Sequence, residues 1–137
     1  MPARMEDQMQ NAQLARSWLY LVGTTLVLVG IVGFIANPLV GPTGLVATDD
    51  LHNAIHIATG ILAFGLVLGL REDVGLAAML FGALYAIVFV VTIVSPSLFG
   101  LFSVPVNAID HVIHVGVAVV SLALGWMARS RTAIAAR

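Results

Sequence analysis

The chain has 137 residues, 60% hydrophobic and only 9% charged, with a formal net charge of −1 and a mean hydropathy of +1.03. A soluble domain carries about 25% charged residues, so water-soluble globular classes are excluded, and the near-zero charge gives nucleic acid nothing to bind. The absence of cysteine removes disulfides, thiolate metal sites and a cysteine nucleophile. Lysine is also absent, so every basic side chain other than histidine is an arginine.

The chain opens on a polar run, 1–16, that mixes Arg4, Glu6, Asp7 and Arg16. This is not a signal-peptide n-region. The apolar run behind it is too long for a signal h-region and lacks a small-residue cleavage site, so it reads as a retained first membrane helix. Four apolar runs, at about 17–36, 51–70, 74–94 and 107–128, are each long enough to cross a hydrocarbon core of about 30 Å. In lipid they must be helical, because an open strand leaves backbone groups unpaired, and no alternation of polarity suggests a barrel. The expected fold is all-α: one membrane domain over 1–137, a four-transmembrane-helix bundle.

Arginine sets the expected orientation. Arg4 and Arg16 precede the first helix, Arg71 sits in the turn between the second and third, and Arg129, Arg131 and Arg137 follow the fourth. The other two loops hold none. Both termini and the 71–73 turn are therefore expected in the cytoplasm of a multi-pass plasma (inner) membrane protein, with Trp18, Tyr20 and Trp126 at the same interface. The two outer loops, 37–50 and 95–106, are rich in Pro and Gly yet apolar. Leu39, Val40, Leu98, Phe99, Leu101 and Phe102 are expected in the interface or folded over the helix ends as a lid.

An internal repeat accompanies this layout. Pro38, Ile55 and His56 recur as Pro96, Ile113 and His114, 58 positions on, and His52 and Asn53 fall on Asp110 and His111. Helices 1–2 and 3–4 read as two similar hairpins in the same orientation, a parallel repeat.

All four histidines fall in two short windows, Asp50-Leu-His-Asn-Ala-Ile-His56 and Asp110-His-Val-Ile-His114. At about 100° per residue, His52, Asn53 and His56 share one face of helix 2, and Asp110, His111 and His114 one face of helix 4. Those faces continue as Thr59, Gly60 and Ala63 and as Val117, Ala118 and Ser121. The small residues predict helix 2 packed on helix 4. Side chains four apart chelate one ion, so His52 with His56 and Asp110 with His114 offer three imidazoles and a carboxylate. That set suits Zn²⁺, Fe²⁺ or Cu²⁺, with Zn²⁺ or Fe²⁺ preferred, and not Ca²⁺ or Mg²⁺. The four side chains should converge on a point about 2 Å from several ligand atoms. Asn53, His111 and Asn107 would support the ligands, or His111 would replace one. The helix N-termini add positive potential.

Blander readings stand beside this one. Asp49, Asp50 and Asn107 are ordinary helix caps, and an acid at Asp110 suits a first turn. The histidines could form a hydrogen-bond network joining helices 2 and 4, or a proton relay. His56 and His114 could instead ligate a haem or a chlorophyll-type pigment in a non-catalytic small subunit of a larger membrane complex. Still, polar groups inside a span are costly and usually functional. Gly65-x-x-x-Gly69 and Ser121-x-x-x-Gly125 read as internal packing motifs, and Tyr85 as a hydrogen-bonded core residue. Met9, Met79 and Met127 form no copper-binding track, no hydrolase triad or phosphate loop is present, and no residue specifies a reaction. Polar residues that stop at Thr59 and Ser121 disfavour a transport path. Partners, besides the bilayer, would be other membrane subunits or further copies of the chain.

The pattern Leu51-His-Asn-x-x-His56 with Gly60, then Val106-Asn-x-x-Asp110-x-x-x-His114, resembles a bacterial family of small four-helix membrane proteins catalogued as a domain of unknown function. The resemblance extends over nearly the whole chain, including Asn37-Pro38. It implies four membrane helices and points to His52, Asn53, His56, Asn107, Asp110 and His114. Family members often carry asparagine at the position of His111, which makes His111 the least secure of the ligands.

Overall fold

The computed structural model describes residues 3–95 and 104–130. Its elements are α1 (Ala3–Gly33), β1 (Val40–Gly41), β2 (Val46–Ala47), α2 (Asp50–Gly69), α3 (Val74–Val94) and α4 (Ala108–Ser130). All four helices are long and apolar enough to cross a membrane. Pro96, Leu98, Phe99, Leu101, Phe102, Arg131 and Arg137 lie outside the described residues.

α3 occupies the expected span, and α2 and α4 differ from theirs by one or two residues. α1 differs more, starting at Ala3 instead of 17. Residues 3–15, which precede Arg16, are mostly Ala, Met, Gln, Glu, Leu and Arg, which are strong helix formers, and contain no Gly or Pro. Hydropathy sees only the part that fits lipid, whereas helix propensity carries the helix further back. α1 stops before Asn37-Pro38, because a residue preceding proline is pushed out of the α region. Asn37 ties the exit: its Oδ1 accepts from Leu39 N and Val40 N, both at 2.9 Å, and its Nδ2 donates to Ile35 O at 2.7 Å and Val40 O at 3.0 Å. The chain then turns through Gly41, whose φ of +151° favours glycine, and β1 and β2 form a short parallel pair.

The other helix starts are capped by side chains. Asp49 Oδ1 accepts from His52 N at 2.8 Å, Asp73 Oδ1 from Leu76 N at 2.9 Å, and Asn107 Oδ1 from Ile109 N at 2.8 Å. Each such cap stabilises its helix by about 0.5–2 kcal/mol.

Packing differs from the expected α2–α4 contact. α1 lies along α2 and α3 lies along α4, while α2 and α4 make no comparable contact. The small residues explain this. A Cβ on Gly60 would come within 2.7 Å of Gly23 O on α1, and a Cβ on Gly82 within 3.0 Å of Ala118 O on α4. Gly125 likewise meets Gly75 O at 2.7 Å. The small faces of α2 and α4 are thus used against α1 and α3, where backbones nearly touch. The Ser121–Gly125 motif is internal as expected. Gly65 and Gly69 are not, since a Cβ on either meets nothing within 4 Å.

The core between the helices is filled by Leu19, Val67 and Phe81, with Ala15, Ala63 and Ala78 where helices approach closely. Trp18, expected at the interface, turns inward: its Nε1 donates to Ser121 Oγ at 2.8 Å. Trp126 is exposed on the outer surface of the bundle. Arg16, Arg71 and Arg129 gather at the end opposite the N-termini of α2 and α4. There Arg16 donates to Arg71 O at 3.0 Å, and Arg129 Nε lies 3.3 Å from Asp73 Oδ2.

Candidate metal centre

The first two turns of α2 carry His52 and His56, one turn apart on its inward face, and the second turn of α4 carries His114. All three are buried. The ring centroids of His52 and His56 are 4.4 Å apart, and those of His52 and His114 are 6.3 Å apart. One ring nitrogen from each comes within 4.8 Å of the other two, so the three histidines could hold a metal ion. α2 and α4 are diagonal in the bundle, and imidazoles are long enough to meet across a gap that their backbones do not close.

His52 is positioned by backbone. Its Nδ1 lies 3.0 Å from both Ala47 O and Pro105 O. Both partners are acceptors, so Nδ1 carries the hydrogen, and in the neutral ring Nε2 keeps its lone pair for a ligand. Orientation of a ligating imidazole by a carbonyl on its other nitrogen is the usual arrangement in metal sites. Among the described residues, the Nδ1 atoms of His56 and His114 are buried with no hydrogen-bond partner. A buried polar atom left unpaired costs about 1–3 kcal/mol, and a bound ion or its ligand would relieve that cost.

Asp110 lies beside this group and not within it. Its side chain is 2% exposed, and its Oδ2 accepts from Asn107 N at 2.7 Å and Ala47 N at 3.2 Å. With Asn107 Oδ1 accepting from Asp110 N at 3.1 Å, the two residues form a reciprocal cap on α4. The Ala47 peptide links two expected site residues, since its N–H donates to Asp110 and its carbonyl accepts from His52. Asn107 Nδ2 adds a bond to Leu45 O at 3.0 Å, so residues 45–47 are tied to the start of α4 beside the histidines.

The expected supporting residues divide. Asn107 works through the cap. Asn53 turns towards α1 and packs its amide against Gly33, with Oδ1 unpartnered among the described residues. His111 faces Phe89 edge-on at 6.2 Å, and its Nδ1 likewise has no partner among the described residues. Three participants escape the sequence reading. The carbonyls of Ala47 and Pro105 are backbone and leave no trace in residue identity. Tyr85 is the buried, hydrogen-bonded residue expected, with its OH 3.3 Å from Thr59 Oγ1, but its ring also lies 5.8 Å from that of His114.

No family model, curated protein or solved structure matches this chain.

Proposed function

We propose that this chain is an integral membrane protein that holds one transition-metal ion, Zn²⁺ or Fe²⁺, on His52, His56 and His114. The observation that carries the proposal is the convergence of three buried ring nitrogens within 4.8 Å. Nitrogens bound tetrahedrally to zinc at about 2.0–2.1 Å sit about 3.4 Å apart, so small ring rotations complete the site. Three nitrogen donors leave a fourth position open, the arrangement in which a metal acts as a Lewis acid or redox centre on an oxygen ligand. Asp110 supplies negative charge nearby and braces His52 through Ala47, whose N–H donates to Asp110 Oδ2 and whose carbonyl accepts from His52. A haem or chlorophyll-type ring between His56 and His114 would have to pass the third imidazole, which favours a bare ion.

Arg16, Arg71 and Arg129 at the opposite end of α2 and α4 support both termini in the cytoplasm and the metal site near the outer face of the plasma membrane. The crossings Gly23–Gly60 and Gly82–Ala118 lie within one residue of the 58-residue repeat, which supports two related hairpins.

The test is elemental analysis of protein purified in detergent without chelator, beside a His56→Ala variant. About one zinc or iron per chain, lost in the variant, is expected. Metal absent from both, or retained in the variant, contradicts the proposal and leaves the histidines as a structural joint.

A further inference from the structure

A cavity of about 230 Å³ opens beside the three histidines, between α2 and α3. Its polar floor is made by His52, His56 and His114 with Thr59 and Tyr85. The walls are mostly apolar, with Ile55 from α2 and Ile87, Val88 and Val91 from α3, and the hydroxyl of Thr92 beside them donates to the α3 backbone. α2 and α3 share far fewer contacts than the α1–α2 and α3–α4 pairs, so this is an open seam of the bundle.

Where the cavity opens decides what can enter. Ile87 lines it and is 61% exposed on the flank of α3, well inside the span Val74–Val94. Towards the helix ends, Val104 is buried and Pro105 O is bonded to His52. The mouth therefore faces sideways, at the depth of the hydrocarbon. A strongly hydrated molecule would lose its water there and find no polar wall in exchange, a cost of several kcal/mol per unpaired group.

We infer that the site receives a lipid-soluble molecule with a small oxygen-bearing head group, which enters from the bilayer between α2 and α3. The inference rests on the metal reading above. The head would meet the open coordination position and Tyr85 OH on the floor, and the first part of an apolar chain would lie against Val88 and Val91. Pockets that enclose a drug-sized ligand run to about 300–1,000 Å³. This cavity is smaller, so the rest of the chain would remain in the bilayer.

The test uses two probes with the same metal-binding head, dodecanohydroxamate and acetohydroxamate, on protein loaded with Co²⁺, whose visible spectrum reports its coordination. Dodecanohydroxamate should change the spectrum of the wild type at a concentration at least ten-fold below that needed with acetohydroxamate. Val91→Trp, which fills the cavity, and Ile87→Trp, which narrows the mouth from an exposed position, should retain Co²⁺ and raise the dodecanohydroxamate requirement at least ten-fold. Failure of the wild type to retain Co²⁺ overturns the metal reading and this inference together. Retained Co²⁺ with equal response to both probes, with no response to either, or with both Trp variants behaving as wild type overturns the lipid-soluble ligand alone.

Discussion

At one end of the bundle, Arg129 meets Asp73 at 3.3 Å with both side chains more than two-fifths exposed. At the other, Asp110 is 2% exposed and held by backbone N–H groups, among histidines that are buried as well. The first end follows the rules of a surface, where an ion pair contributes about 0–1 kcal/mol and serves mainly to mark the water boundary. The second does not. Among the described residues, all the buried side-chain atoms without a partner belong to Thr48, Asn53, His56, His111 and His114. A bundle whose only task was to span lipid would gain stability by replacing such groups with leucine or valine. Their concentration at one end is what a binding site requires, with stability given up where a ligand restores it.

Substitutions at the two ends should separate these roles. The largest effect is expected from His56→Ala or His114→Ala, which remove a donor. Metal affinity measured by competition with a chromophoric chelator should fall by more than about 100-fold, beyond the range for residues that only support a ligand. Asp110→Asn should weaken binding by about 10- to 100-fold through His52 and lower stability by about 1 kcal/mol through the α4 cap. An unchanged affinity would mean that the Ala47 peptide holds His52 without Asp110. Trp18→Phe removes the bond to Ser121 in the middle of the bundle and should cost about 1 kcal/mol in denaturation, with metal content intact. The smallest effect is expected from Arg129→Gln: at most about 1 kcal/mol, and no change in metal. Metal loss in Arg129→Gln would break the contrast between the ends.

The spans were legible because bilayer thickness imposes a length on every apolar run, and α3 coincides with its expected range for that reason. The start of α1 was not, since a helix that continues into water is set by propensity and packing instead of hydropathy. The histidines were legible from their crowding into two windows and their one-turn spacing, which fixes the face they share. The partner of each helix was not. Small residues announce that a close neighbour exists, but Gly60 and Ala118 are equally suited to any helix, and only the folded bundle assigns them to α1 and α3. Asp110 shows a further limit: one carboxylate in a first turn suits both a cap and a ligand, and its choice depends on the Ala47 amide, sixty-three residues away in sequence.

The most direct test of the three-histidine centre is X-ray absorption at the zinc edge of protein loaded with one equivalent of Zn²⁺. The expected spectrum has three imidazole nitrogens at about 2.0–2.1 Å, with their characteristic outer-ring scattering, and one further light atom. A coordination sphere of oxygens, or one containing a single imidazole, would contradict it.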